Sequence, residues 1–383
     1  MESRLKILVL NYEFPPVGGG GGRACADICK ALAARGHAVK VLTSTVPGLE
    51  SKASVDGYQV LRVFTGRRSR FRASFPAMAA YLVAGYGPAR RLIRTWQPDV
   101  LHAHFAVPTG VLAHALYTTT GVPYVLTAHL GDVPGGVPQK TDRWFRLVYP
   151  FTHGVWADAA AVAAVSEYTR SLAREHYPVP IKVIPNGVEL PDGWSPNLDV
   201  HDPVQLIFAG RFQPQKNLPF LIEALAQHKD LSWHCTLVGD GPQRGEVEAL
   251  IMSHGMQSRF TLPGWVTPED VWSLLGKSDV LVMPSLSEGL PVVGVQALAQ
   301  GLAMFVNAAG GFVDLVEDGV NGRVCPVEDP DCYVQALSEL ADPVHLSSMK
   351  KASLLKAEAY DMDVVVQRYE TLFRAVMFKS HSM

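Results

Sequence analysis

The sequence predicts an α/β protein built from two Rossmann-like, doubly wound domains, and three observations predict it. Short apolar runs alternate with segments of helical period along nearly the whole chain, the pattern of a parallel sheet with helices on both faces. Many of those runs end in Gly, His or Pro, where such a sheet hands the chain to a ligand-facing loop. At 383 residues the chain is long for one domain and natural for two of about 190.

Taken in order, residues 6–10 read as a buried strand, 23–35 as a helix closed by Gly36, and 38–43 as a second strand, which together make a βαβ unit. A strand at 60–63, a helix over 78–94, a strand at 100–104, a helix from 109 to about 117 and a strand at 124–128 continue the pattern. The strand 181–184 ends in Pro185-Asn186-Gly187, and residues 190–203, with three prolines among Gly, Asn and Asp, read as the linker. A second series follows, with strands at 206–209, 236–238, 260–262, 280–283 and 304–306 and helices at 220–226, 246–253, 270–275 and 292–299. The tail 364–376 places Val365, Tyr369, Leu372, Phe373 and Val376 at helical spacing, an apolar face that needs burial.

Composition narrows the function classes. A chain 48% hydrophobic and 18% charged has the make-up of a soluble globular protein with two cores, and a net charge of −2 gives no overall attraction to nucleic acid. The first apolar run is too short for a secretory leader, and no run approaches the ~18 apolar residues of a membrane span, so a cytoplasmic protein is expected. Five cysteines without paired spacing exclude a disulfide framework or a structural zinc site, and Cys25 and Cys29 fall with Ile28 and Leu32 on one helical stripe, as core residues do.

Two segments of the second half carry the chemistry. Gly210-Arg211-Phe212-Gln213-Pro214-Gln215-Lys216 follows a strand and releases two cations in a proline-broken loop; Arg as a fork and Lys as a point charge suit a diphosphate. Pro284-Ser285-Leu286-Ser287-Glu288-Gly289-Leu290-Pro291 follows another strand, with Pro291 in the first turn of a helix carrying Gln296, so that free N–H groups face the same edge beside Glu288.

The pair resembles the donor site of the large retaining glycosyltransferase family with two Rossmann-like domains, the GT-B type of family 4, and the resemblance runs from about Lys6 to about Asn321. It implies two domains facing across a crevice, a nucleotide diphosphate sugar as donor, a hydroxyl acceptor on a glycan, lipid-linked glycan or small molecule, and no metal or other cofactor. The family's last helix crosses back to the first domain. Domain one is therefore expected at 1–192 with about 363–383, and domain two at 203–362. Catalytic roles carry over to His129, Arg211, Lys216 and Glu288, and donor contacts to Gly239, Gly289, Leu290, Pro291, Gln296 and the nucleobase loop at Trp265-Val266. One position departs: the family usually has two glutamates eight apart, whereas this chain has Glu288 and Gln296. A Gln amide still bonds ribose hydroxyls, though more weakly than a carboxylate.

Other motifs admit two readings each. The run Gly18-Gly19-Gly20-Gly21-Gly22 after the first strand lets backbone approach a phosphate, with Gly19 and Gly20 as candidates, or is a flexible loop. The second strand ends in Thr43-Ser44, without the acidic residue that a nicotinamide cofactor's ribose requires. His102 and His104 share one face of a strand, with no further ligand at metal spacing; His104 is an acceptor-side candidate and otherwise structural. Arg67, Arg68, Arg70 and Arg72, interleaved with Phe71 and Phe75, form a patch for peripheral contact with an anionic membrane or for a soluble anion. The reading is a retaining glycosyltransferase. A nucleotide-sugar epimerase of the same fold, or a non-catalytic nucleotide-sugar binder, is the alternative.

Overall fold

A computed structural model describes residues 4–69, 74–190 and 193–380. The chain divides into two compact units, one of Met1–Gly187 with Met362–Met383 and one of Val188–Asp361.

The first unit runs β1 (Lys6–Leu10), α1 (Gly20–Ala34), β2 (Ala38–Ser44), β3 (Lys52–Val55), β4 (Tyr58–Val63), α2 (Phe75–Trp96), β5 (Val100–His104), α3 (Val111–Thr120), β6 (Tyr124–Ala128), α4 (Pro138–Ala157), β7 (Ala161–Ala164), α5 (Glu167–His176) and β8 (Ile181–Val183). Its sheet has the order β3-β4-β2-β1-β5-β6-β7-β8 and is parallel except for β3, which pairs antiparallel with β4. Every residue of β5 and β6 is buried, as expected of strands covered on both faces. One face packs Ile7, Val9 and Val41 against α1 and against the chain's last helix, whose Val365, Tyr369, Leu372, Phe373 and Val376 are all buried in that cluster. The other face packs Leu8, Leu42 and Leu126 against α2, α3 and the end of α4.

The helix α1 begins at Gly20, three residues before the position that period alone predicts. A Cβ at Gly22 would lie 2.5 Å from the Glu13 carbonyl oxygen, and one at Gly21 2.7 Å from the Phe105 ring. Close packing therefore requires residues that helix propensity disfavours.

The second unit contains β9 (Val204–Ala209), α6 (Leu218–Ala226), β10 (Trp233–Val238), α7 (Arg244–Ser253), β11 (Phe260–Gly264), α8 (Pro268–Leu275), β12 (Val280–Met283), α9 (Val292–Ala299), β13 (Ala303–Asn307), α10 (Phe312–Leu315), β14 (Gly322–Cys325), α11 (Pro330–Leu337) and α12 (Pro343–Ala357); the last helix of the chain is α13 (Met362–Ser380). Its six strands are all parallel, in the order β11-β10-β9-β12-β13-β14. The strand order reverses between β9 and β12, the switch point where open α/β sheets bind ligands.

Residues 193–203, read from sequence within a linker, belong to the second unit and are tied to it. Trp194 donates to the Ala299 carbonyl at 3.0 Å, and the Asp199 carbonyl accepts from Lys350 Nζ at 2.8 Å. Lys350 also pairs with Asp279 at 2.8 Å, both side chains fully buried. Asp279 further accepts from the backbone N–H groups of His201 and Gln205, so the buried carboxylate is well bonded. Among the described residues no helix is long and apolar enough to cross a membrane.

Candidate active site

In the second unit, the loops after β9 and β12 leave the sheet on either side of the switch point. The first loop turns through a short 3-10 segment, Pro214–Lys216, and Asn217 closes it with φ 55°. That turn aims Lys216 back at the second loop: its Nζ lies 2.5 Å from Glu288 Oε1, with both side chains largely buried. Gln215 joins the same two loops, donating from Nε2 to the Ser287 carbonyl at 2.6 Å while its own carbonyl accepts from Leu286 N–H at 2.8 Å. Arg211 is half-buried at the start of the first loop.

Glycines let neighbouring turns nest under this pair. A Cβ on Gly239 would stand 2.0 Å from the Gly210 carbonyl oxygen, and Gly239 has φ +125°, so only glycine serves the turn after β10. A Cβ on Gly310 would stand 1.5 Å from the Glu288 carbonyl oxygen, and one on Gly311 2.0 Å from that of Gly289. The Gly311 N–H donates to the Glu288 carbonyl at 3.2 Å, and Asn307 Nδ2 donates to the Pro284 carbonyl at 3.1 Å. Sequence reading named Glu288 and Gly289 but passed over Gln215, Asn307, Gly310 and Gly311. The available signal was Gly310-Gly311 following a strand-like run, the same signal used at Gly210.

Pro291 is the N-cap of α9 and not a first-turn residue; its φ of −69° with an extended ψ of 122° leaves the helix to begin at Val292. The N–H groups of Gly294 and Val295 donate to the Pro291 carbonyl at 3.0 and 3.2 Å, which leaves those of Val292 and Val293 as the first-turn donors without an intrahelical acceptor. Leu290 is buried, Gly289 half-buried, and Gln296 half-buried on the second turn of α9 with no side-chain hydrogen bond to the described residues. Just past β11, Trp265 is 53% exposed and Val266 half-buried.

In the first unit the sheet order reverses between β1 and β5, and the residues singled out there gather at the strand ends around that point. His129 follows β6, is 9% exposed, and stacks on Phe105 with centroids 4.2 Å apart. Its Nε2 lies 3.4 Å from His104 Nδ1, and its Nδ1 side faces Gly21 at the start of α1. Burial and the neighbouring His104 push the His129 pKa down to about 3, so the ring is neutral near pH 7. His104 lies behind it at 1% exposure, which corrects the expected acceptor-side contact: it touches His129 and not solvent. His102 is deeper still, its Nε2 2.8 Å from Thr127 Oγ1, which in turn lies 3.1 Å from the Tyr369 hydroxyl. Asp132, missed in the sequence, accepts the His129 N–H at 2.8 Å; burial pushes its pKa up to about 7.

Gly19 is the N-cap of α1 with open space where a side chain would project, and Gly20 is the first helical residue and not part of a loop. Arg67 is also corrected. It is 3% exposed and its guanidinium pairs with Glu13 at 3.2 Å, so it faces inward. Arg68 is exposed; Arg70 and Arg72 lie outside the described residues.

Two Rossmann-like units, the second with paired cationic and acidic loops at its switch point, define a GT-B glycosyltransferase. Residues 18–191 match the family model for glycosyltransferase family 4, and residues 195–353 the model for glycosyl transferases group 1. The chain belongs to the group 1 glycosyltransferases. It is similar to the 2-deoxystreptamine glucosyltransferase of Streptomyces kanamyceticus, with 27% identity over 78% of this chain and 82% of that one. Its fold matches sucrose-phosphate synthase from Thermosynechococcus elongatus at TM-score 0.84, with 21% identity over 98% of this chain and 100% of the other. The Anabaena HepE protein in complex with UDP-glucose matches at TM-score 0.72, with 20% identity over 96% and 99% of the two chains.

Proposed function

We propose that the protein is a retaining hexosyltransferase that takes a sugar from a nucleotide diphosphate donor held on the second unit and transfers it to a hydroxyl acceptor. The observation that carries this reading is the Lys216–Glu288 pair at the switch point, a cation and a sugar-hydroxyl acceptor held together by loops from two adjacent strands. Arg211, Lys216 and the free N–H groups of α9 stabilise the negative charge that grows on the diphosphate as the glycosidic bond breaks. Glu288, held at fixed height by Gly310 and Gly311, accepts hydrogen bonds from the sugar hydroxyls. Trp265 and Val266 meet the nucleobase, and Gln296 the ribose.

His129 is assigned to the donor sugar as a neutral hydrogen-bonding group. A ring with its pKa near 3 gains no proton between pH 5 and 8. Retention is supported by the family resemblance, in which the leaving phosphate assists deprotonation of the acceptor on the face of attack; this reading assigns no metal. A cytoplasmic site of action is supported by five cysteines carried as free thiols.

The test is incubation with UDP-, GDP-, ADP- and dTDP-sugars and an acceptor panel, with product anomers read by NMR. Transfer with the donor's anomeric configuration is expected. An inverted product contradicts retention, free epimerised donor supports the epimerase alternative, and binding without hydrolysis or transfer supports a binding protein.

A further inference from the structure

Among the described residues, the non-glycines with positive φ are Asp56, Gln97, Phe105 and Asn217. Short polar side chains such as those of Asp and Asn visit that region readily; a bulky aromatic does not. Phe105, directly after β5, combines φ 71° with ψ 131°. That lies outside even the small left-handed helical region, where ψ is about +30 to +60°. Its N–H still donates to the Thr127 carbonyl at 3.0 Å and its carbonyl accepts from the Gly110 N–H at 2.9 Å, so both ends of the residue are held by the surrounding backbone. Such a conformation persists only where its neighbours over-determine it, and it gathers at functional sites.

The positive φ decides where the ring goes. Successive side chains of a strand point to opposite faces, so an extended residue 105 would turn its side chain away from the face of His102 and His104. Reversing the sign of φ swings the Cβ across the strand and brings the Phe105 ring to the same histidine that His104 touches. It stacks on His129 with centroids 4.2 Å apart and planes at 25°. Tyr12 packs edge-on against Phe105 at 5.6 Å, and Gly21 leaves room for the tip of the ring, since a Cβ there would stand 2.7 Å from Phe105 Cζ. His104 meets the Nε2 edge of His129 at 3.4 Å, and Asp132 holds the His129 backbone N–H at 2.8 Å. The imidazole is thus held on one edge and one face, and the contact on the face depends on the backbone of Phe105.

We propose that Phe105 is a positioning residue: its left-handed backbone places the ring against His129 and fixes the plane of the imidazole for the donor sugar. The inference rests on the assignment of His129 to that sugar. A stacked ring restrains rotation of the imidazole without occupying either nitrogen, so the hydrogen-bonding capacity of His129 is left to His104 and the ligand. An aliphatic side chain of similar bulk fills the space but offers no flat surface to set the plane. The backbone is the part that a merely structural phenylalanine would lack, because packing alone gives no reason to put an aromatic residue where glycine sits at no steric cost.

The test uses the full chain with a donor and acceptor that the wild type turns over. Phe105→Leu is expected to lower kcat by about tenfold or more with the donor KM within about twofold of wild type, and Phe105→Tyr, which keeps the ring, to retain most of the rate. In a His129→Ala background, Phe105→Leu should cost less than about twofold more, because the ring then has nothing to position. Phe105→Gly should melt above Phe105→Ala, the reverse of the usual order of these two residues, while turning over as slowly. Independently of turnover, NMR of histidine-labelled protein should show the His129 ring protons shifted upfield by the Phe105 ring, a shift lost in Phe105→Leu and kept in Phe105→Tyr. Wild-type kcat in Phe105→Leu beside an impaired His129→Ala overturns the proposal, as do losses that multiply in the double variant, a Phe105→Gly that melts no higher than Phe105→Ala, or an absent ring shift. Wild-type turnover in His129→Ala contradicts the assignment of His129 to the sugar and not the placement of its ring, which the NMR shift then decides alone.

Discussion

Gly310 lies so close beneath Glu288 that a Cβ placed on it would stand 1.5 Å from the Glu288 carbonyl oxygen. Its φ of +60° adds a backbone conformation that side-chain-bearing residues rarely adopt. The acidic loop of the site is therefore set by a glycine in the next strand's turn. Gly310→Ala is expected to displace the loop, lower stability by about 2 kcal/mol or more and abolish donor binding. Gly245→Ala, in α7 with nothing within 4 Å, should be neutral or stabilise by up to about 1 kcal/mol. Denaturant melts and donor titrations of both variants check this; equal effects would remove the structural role given to Gly310.

Arg211→Ala and Lys216→Ala are each expected to reduce kcat by roughly 10²–10³, about 3–4 kcal/mol of barrier, because each serves charge that develops in the transition state. Lys216→Ala should also lower the melting temperature, since it strands a Glu288 that is only 7% exposed. Steady-state kinetics beside thermal melts separate the two effects. Wild-type turnover in both variants would remove the diphosphate assignment.

Gln296→Glu restores the second carboxylate of the family pattern. A charge-assisted hydrogen bond contributes about 1.5–3 kcal/mol against roughly 1 for a neutral one, so ribonucleotide sugars should bind several-fold tighter. Calorimetric titration with matched ribo- and deoxyribonucleotide donors decides it. Weaker ribonucleotide binding would mean that Gln296 answers to a different group.

His129 and Asp132 make opposing contributions to the pH dependence of stability. With its folded pKa lowered to about 3, His129 takes up a proton in the unfolded chain first, so its contribution is lost as pH falls below the unfolded value near 6.5. With its folded pKa raised to about 7, Asp132 favours the folded state at low pH, and that contribution is lost as pH rises from about 4 to 7. Asp132→Asn removes only the second. The variant's deficit relative to wild type should therefore shrink by more than about 1 kcal/mol between pH 5 and pH 8, as each unit of pKa displacement is worth about 1.4 kcal/mol. Melts across that range would contradict the account if the deficit were constant.

Much of this was legible because buried parallel strands read as apolar runs: 100–104, 124–128 and 280–283 coincide with β5, β6 and β12. The edge strand β3 was not, since Lys52-Ala53-Ser54-Val55 is largely exposed and has no apolar run. Nor was α12, where buried Lys350 and Ser353 interrupt the apolar stripe; only the pairing with Asp279, 71 positions away, explains a lysine there. The site was half legible. Arg211, Lys216 and Glu288 stand out by residue type after strands, but the 72-residue separation of Lys216 and Glu288 closes only because β9 and β12 are neighbours, a pairing no local pattern encodes. Burial likewise cannot be read from a charge run, which is why Arg67 was expected at the surface and is found against Glu13.

The central claim is that the switch point of the second unit holds a nucleotide diphosphate sugar through Lys216 and Arg211. Calorimetric titration of the wild type and of Lys216→Ala with UDP-, GDP-, ADP- and dTDP-sugars tests it most directly. The account predicts that at least one donor binds the wild type and that the variant binds it at least tenfold more weakly. Binding to none of the four, or equal affinity in both proteins, would contradict it.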